Sequence, residues 1–389
     1  MAAPPRELDN WTTLWNEIAQ AFSPGAPIDE SDLFAGRVDQ LRDLINAVNQ
    51  RGQHAIVFGE RGVGKTSLAN IFTNYVHSPV SHILATRINC DGVTNFQSLW
   101  QKVFSEFGIQ TTVDKSTGPD DVRRILAGLS ANDLPIIIFD EFDRIAPGKT
   151  KGLLADTIKG LSDHSVRATI VIVGVADSVT ELLAEHASIG RALVEVPMPR
   201  MSDEEIEEIL DKRLGRLNMI IDLPVRDRIV RYSQGLPHYA HLIGLHSCQS
   251  AAHDHSIHVT NGDLNAAVHN CISKAQQRIR DSYHRATSSP RPDNLFKQVL
   301  LACSLAKTDS LGFFAASDVV KPLTQIMGRR YDIPSFARHL KEFCSAERGS
   351  LLERRGAARK FRYRFKDPLL QPYITMDGVD SGLLPLEYQ

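Results

Sequence analysis

The sequence predicts an α/β fold: a parallel sheet covered by helices on both faces, then an all-helical block, then three helices closed by a hairpin. Three observations carry this. Apolar, β-branched runs at 55–58, 82–88, 135–139, 169–175 and 192–196 alternate with helical patterns such as 38–49, 65–76 and 122–129. Continuous apolar strands interleaved with helices indicate a parallel sheet buried on both sides. From Pro197 to about Tyr283 only helical periodicity remains. After a Ser-Pro-Arg-Pro linker, three apolar helical faces precede two strands that flank a Gly-Ala-Ala-Arg turn.

In chain order, residues 1–28 form an arm with one helix near 11–22, ending in Ser-Pro-Gly-Ala-Pro. Residues 29–196 form the sheet domain. The helical domain, 197–286, opens on Ser202-Asp-Glu-Glu205, a capping box in which Ser202 accepts from the backbone and Glu205 reaches back. Ile206, Ile209, Leu210, Leu214 and Leu217 then mark one face. Residues 292–376 hold the last domain, and 377–389 a tail. Its helices are marked by Leu295, Val299, Leu300 and Cys303, by Val319, Val320, Leu323, Ile326 and Met327, and by Phe336, Leu340, Phe343 and Cys344. Pro322 must sit in the first turn of the second helix or kink it. Three helices and a two-stranded wing make a winged helix. In the wing, Phe361, Tyr363 and Phe365 face the core, and Lys360, Arg362, Arg364 and Lys366 face away.

Composition excludes several classes. At 42% hydrophobic and 23% charged, the 389 residues can build real cores, so a disordered or fibrous chain is excluded. The net charge of −2 shows no global basic excess, so any nucleic-acid contact must be local. Five scattered cysteines without a C-x-x-C pair argue against a disulfide framework or zinc knuckle and for reduced thiols in the cytoplasm. The longest apolar run, 168–176, is too short to cross a bilayer, and MAAPPRELDN lacks a signal pattern. His238, His241 and His246 have near-helical spacing and His253, His255 and His258 sit in a loop, but neither set has a supporting Cys or carboxylate pattern at zinc-ligand spacing.

The strongest motif is Gly59-Glu-Arg-Gly-Val-Gly-Lys-Thr66, a full G-x-x-x-x-G-K-S/T match that follows a strand and opens a helix. A chain of this length shows one by chance about one time in a hundred. Glycines let backbone N–H groups close around phosphate oxygens, and the helix N-terminus adds its positive dipole end. Gly59, Glu60, Arg61, Gly62, Val63, Gly64, Lys65, Thr66 and Ser67 are therefore the candidate ATP cradle. Lys65 would neutralise the β- and γ-phosphates, and Thr66 would ligate Mg²⁺. About 75 residues on, the apolar strand 135–139 ends in Asp140 and Glu141. Asp140 suits the Mg²⁺ shell and Glu141 the attacking water, with Asp143 as a reserve base.

These residues resemble those of AAA+ ATPases, and within them the origin-recognition and replication-initiator clade and the signalling NTPases called STAND. The segment Leu33-Phe-Ala-Gly-Arg-Val-Asp-Gln-Leu41 resembles their GR-x-x-E-L element, with Gln40 in place of Glu. The resemblance implies that Arg37 faces the nucleotide. It places Asp177, after the run 169–175, at sensor 1, where the family often has Asn. Gly235-Leu-Pro237-His238 resembles the lid element in which Pro237 would touch the base. His238 then stands near the place where initiator-type proteins have a sensor-2 arginine, which is absent here. Arg191, ahead of the last strand, occupies the usual place of an arginine finger acting on a neighbouring subunit, with Arg200 a weaker rival.

Residues 351–366 carry a net charge of +6. Arg355, Lys360, Arg362 and Arg364 on the wing, with Arg338, His339 and Lys341 on the polar side of the third helix, suit a DNA backbone. A cation-rich edge strand also blocks aggregation, and winged helices also dock proteins. The expected activity is slow MgATP hydrolysis used as a conformational switch in a homo-oligomer on DNA. The alternative is a STAND-like signalling or defence ATPase that docks an effector protein.

Overall fold

The computed structural model describes residues 8–28, 30–76, 82–130, 132–183, 189–290, 294–309, 311–357 and 360–384. Residues 1–7 of the expected arm, 291 and 292 of the linker, Ala358 and Arg359 of the hairpin turn, and 385–389 of the tail lie outside them. The chain divides into two compact units. One is Pro27–Pro199; the other joins Met1–Ala26 to Arg200–Gln389.

The first unit is built on a parallel sheet. Its strands are β1 (His54–Gly59), β2 (His82–Asn89), β3 (Asp133–Asp140), β4 (Thr169–Val175) and β5 (Leu193–Pro197), in the order β2-β3-β4-β1-β5. Residues 134–140 of β3 and 169–174 of β4 are buried without interruption, which is why these runs read as apolar throughout. Each such Ile or Val contributes about 1.5–3 kcal/mol of transfer free energy. Ile56, Ile137, Phe139, Ile170 and Ile172 pack with Trp100, Phe104, Val122 and Ile158 from helices Phe96–Glu106, Pro119–Ala127 and Lys149–Asp163. Helices Val38–Asn49 and Lys65–Tyr75 pack together and against β1. The helix Phe96–Glu106 was not among the expected elements, although Phe96, Leu99, Trp100, Val103 and Phe104, all buried, stand at the i, i+3, i+4, i+7 and i+8 spacing of a helix face. Its capping box pairs Asn95 with Ser98, at 2.9 and 3.1 Å, instead of ending in Glu or Gln.

The second unit is mostly helical. Helices Asp203–Leu217, Leu223–Ser233, Pro237–His253, Asn261–Ser273 and Gln277–Thr287 follow one another. The Ser202–Glu205 capping box is present, with Glu205 N–H donating to Ser202 Oγ at 3.2 Å and Ser202 N–H to Glu205 Oε2 at 3.0 Å. The expectation of an all-helical block needs one correction: β6 (Ile220–Ile221) pairs in parallel with β7 (His258–Val259). Two-residue strands leave no alternation to read. The N-terminal helix Leu8–Ala21 is no loose arm. Leu14, Ile18, Ala21 and Phe22 are buried, and the helix packs on Pro237–His253 and Asp203–Leu217. A Cβ on Gly244 would lie 2.5 Å from the Phe22 ring, so that glycine admits the aromatic.

The C-terminal part of this unit has helices Phe296–Ser304, Ala316–Met327 and Ile333–Phe343 and an antiparallel sheet. The sheet has β8 (Phe314–Ala315), β9 (Leu352–Arg355) and β10 (Arg362–Phe365) in the order β8-β10-β9. The expected two-stranded hairpin is thus part of a three-stranded sheet. Tyr363 and Phe365 are buried against Phe314, whereas Phe361 is half-buried with Arg354 4.1 Å above its ring. Pro322 lies inside its helix, beyond the first turn. A further helix, Leu370–Asp380, runs across the expected 376/377 boundary.

Candidate nucleotide site

At the end of β1 the backbone turns through Gly59, Gly62 and Gly64, with φ of 152°, 87° and 93°. A Cβ on Gly59 would sit 2.3 Å from the Met198 carbonyl oxygen, because Met198 N–H donates to Phe58 O at 2.7 Å and holds the end of β5 against the loop. Only glycine tolerates that approach. Gly64 caps the helix Lys65–Tyr75 with no side chain, so the backbone N–H groups of its first turn have no side-chain acceptor at the cap. Ser67 Oγ accepts from Ile28 N–H at 3.1 Å, which ties the preceding segment to the same turn.

Lys65 is 8% exposed and folds back on its own loop, donating to Gly59 O at 3.0 Å and Glu60 O at 2.6 Å. Burial lowers its pKa to about 8, against the opposing fields of Asp143, Asp140 and Glu60. Those fields show that the sheet order brings the loop after β1 and the acidic turn after β3 to one place. The strand between them is β4. Ligands in such sheets bind beyond the carboxyl ends of the strands.

Asp140 is 3% exposed. Its Oδ1 accepts from Glu141 N–H at 2.8 Å, and Arg87 Nη1 stands 3.9 Å from Oδ2. Glu141 takes a left-handed conformation, φ 54° and ψ 35°, uncommon outside glycine and characteristic of functional turns. Its side chain is 51% exposed and pairs with Arg144 at 2.7 Å. Asp143 Oδ1 accepts from Val175 N–H at 2.8 Å. Asp177 follows β4, and its N–H donates to Glu181 Oε2 at 2.9 Å. Thr66 and Asp140 offer a hydroxyl and a carboxylate, hard oxygen donors of the type Mg²⁺ takes.

Other expected residues have other surroundings. Arg37, buried and left-handed at φ 60°, donates to the carbonyls of Val63 at 3.2 Å and Pro199 at 2.7 Å, so it braces the loop through main-chain oxygens. Arg191 lies at the foot of the sheet, where Leu193 pairs with His54 and Gln53 donates to Arg191 O at 3.1 Å. That is the opposite end of β1 from Gly59. Its guanidinium, 83% exposed, pairs with Asp163 at 2.9 Å.

In the other unit, Arg200 donates to Gln234 O at 3.5 Å, and Gly235 at φ 73° lets its carbonyl accept from Met201 N–H at 2.9 Å. Pro237 opens the next helix. His238 Nδ1 lies 2.7 Å from Pro24 O, and His241 Nδ1 accepts from Ser23 N–H at 3.2 Å. Burial lowers the pKa of both histidines, that of His241 to about 3.

The basic set divides. Arg362 pairs with Asp309 at 3.0 Å and donates to Phe313 O, while Arg364 donates to Leu311 O and pairs closely with Glu353. Together they thus hold side chain or backbone of Asp309, Leu311 and Phe313. Lys360, Arg355 and Lys341 are exposed, and exposed Arg338 pairs with Glu342 at 2.6 Å. His339, expected on the polar side, packs edge-on to Phe296 with ring centroids 4.9 Å apart. Its neighbours on the apolar face, Phe336 and Leu340, carried that signal.

The AAA domain family matches residues 45–183, which contain both halves of this site. ORC1-type DNA replication protein 9 of Halobacterium salinarum is 27% identical over 237 residues, 59% of this chain and 63% of its own length. ORC1-type DNA replication protein 2 of Thermoplasma acidophilum is 24% identical over 196 residues, 48% of each. Residues 45–183 thus carry an AAA domain, and the chain resembles AAA+ proteins of the origin-recognition clade. It spans less than two thirds of the length of either of these curated relatives. The fold is shared with the Aeropyrum pernix ORC2 protein, at a TM-score of 0.53, 14% identity and coverage of 94% of this chain and 96% of that one. It is shared too with a Walker-type ATPase of Pyrococcus abyssi, at 0.52 and 17% identity, over 90% and 98%.

Sequence reasoning missed two partners of the acidic turn. Arg144, three residues after Glu141, had a signal in its opposite charge. The bond from Val175 to Asp143 had none, because it depends on which strands are neighbours.

Proposed function

We propose that the chain binds MgATP, hydrolyses it slowly, and uses the nucleotide state to control assembly on DNA through its C-terminal helices and wing. The observation that carries the nucleotide half is the convergence on Lys65 of the glycine loop and the Asp140–Glu141 turn. Lys65 would leave its loop carbonyls for the phosphates, and Glu141, released from Arg144, would take the proton of the attacking water. Mg²⁺ held by Thr66 and Asp140 would neutralise phosphate charge. Arg191 would serve a neighbouring copy.

DNA binding rests on the exposed Lys341, Arg355 and Lys360 and on likeness to proteins named for DNA replication. Titration of the full chain with labelled duplex at several salt concentrations tests it. A steep fall of affinity with salt, lessened when Lys341, Arg355 and Lys360 become Ala, is expected. Salt-independent or absent DNA binding refutes this half. One observation favours a signalling switch that docks a protein instead. Arg362 and Arg364, half of the expected phosphate track, are bound to the carbonyls of Phe313 and Leu311.

A further inference from the structure

The ladder between β3 and β4 ends at the pair Phe139–Ile172. Beyond it, the turn that carries Asp140 and Glu141 has no strand hydrogen bonds to β4. The ladder between β1 and β4 runs further, to the pair Gly59–Val175, at the first residue of the phosphate loop. One side chain crosses the gap: Asp143 Oδ1 accepts the Val175 N–H at 2.8 Å. Val175 is thus held on one side by the loop strand and on the other by the acidic turn.

The surroundings are shaped for this bond. The turn is wound tightly, with Arg144 N–H donating to Glu141 O at 3.0 Å and Ile145 N–H to Phe142 O at 3.2 Å. Phe142, fully buried, fixes its base in the core. A Cβ on Gly174 would lie 3.2 Å from Asp143 Oδ1 and N and 2.7 Å from Leu182 Cδ2, so the strand is bare where the turn presses on it. Arg144 and Glu141 meet at the exposed rim of the same turn.

We propose that Asp143 is a positioning residue: through Val175 it fixes the Asp140–Glu141 turn relative to the phosphate loop at Gly59, and so sets the alignment of base and metal ligand for ATP hydrolysis. This rests on the hydrolytic reading above. What matters is an acceptor oxygen, not a charge. The part of the rate at stake is alignment, where an error of about 1 Å costs up to about a hundredfold.

The test compares full-length wild type, Asp143→Ala, Asp143→Asn and Lys65→Ala in steady-state ATP hydrolysis, with Kd for a fluorescent ATP analogue and a thermal melt for each. Asp143→Ala removes the acceptor. Its kcat should fall about tenfold to a hundredfold with KM and Kd within about threefold. Asp143→Asn keeps an acceptor oxygen and should restore kcat to within about threefold of wild type. Full activity in a folded Asp143→Ala overturns the proposal. A loss in Asp143→Asn equal to that in Asp143→Ala overturns it too, because the carboxylate would then act by its charge. If Asp143→Ala does not fold, Asp143→Asn alone decides. Wild-type turnover no higher than that of Lys65→Ala would instead overturn the hydrolytic reading on which it stands.

Discussion

Lys65 shows how one buried charge sets the behaviour of the site. Its ammonium is held by two loop carbonyls and has lost most of its water, so it gives up its proton near pH 8 in place of the usual 10.5. Phosphate binding needs the charged form. MgATP affinity should therefore hold below pH 8 and fall about tenfold between pH 7 and pH 9, as the charged fraction drops. Lys65→Arg, always charged, should give a flat profile over that range in the same nucleotide titration. Lys65→Ala should lose about 1.5–3 kcal/mol of MgATP binding, the worth of a hydrogen bond to a charged group, while its melting curve stays near wild type. Unchanged affinity would remove Gly59–Thr66 from the site. Glu141→Gln keeps the shape of the exposed turn but loses the base. It should bind MgATP and hydrolyse it about a hundredfold more slowly or worse. Wild-type turnover in Glu141→Gln would mean that the water is activated elsewhere.

Among the elements, the N-terminal helix Leu8–Ala21 behaves as part of the helical unit, fastened at its end by the acceptor His241 and by His238. A His241 that accepts from Ser23 N–H must be neutral. Its folded pKa, about 3, lies below the free value of 6.5, so the unfolded chain binds the proton first. Stability from this residue is present above pH 6.5 and drains as pH falls towards 3, at up to about 1.4 kcal/mol per pH unit. His241→Gln should flatten the decline of the urea midpoint between pH 6.5 and 4, while His54, lowered to about 4 in the sheet unit, keeps part of it. An equally steep decline in His241→Gln would assign the loss elsewhere. Such fastenings were not legible in the sequence. The strands β1, β3 and β4 were legible because each is an unbroken apolar run, and the cradle Gly59–Thr66 because it is contiguous. Helix Leu370–Asp380 was hidden by Pro372 and Gly378 and by burial around most of its circumference, which erases amphipathic periodicity. The Asp143–Val175 bond spans 32 positions and exists only because β4 lies between β1 and β3.

At the scale of the whole molecule, the proposed role of Arg191 needs a second copy. It stands at the foot of the sheet unit, beside the start of β1, whereas its own phosphate loop lies at the other end of that strand. Its ion pair with Asp163 is a surface pair worth at most about 1 kcal/mol, so it gives way readily to a more strongly charged partner. The γ-phosphate in a neighbour is such a partner, and a cation aimed at it stabilises charge during transfer. Arg191→Ala should then leave MgATP binding intact while lowering hydrolysis. Wild-type turnover per subunit should rise with protein concentration. Mixing Arg191→Ala with Lys65→Ala should restore part of the lost rate, because one protein supplies an intact loop and the other an intact arginine. Turnover independent of concentration, with no rescue in the mixture, would refute the shared site. The Asp163 pair would then be the resting place of Arg191 in a switch that acts as a single chain, and control would have to come from a docked partner.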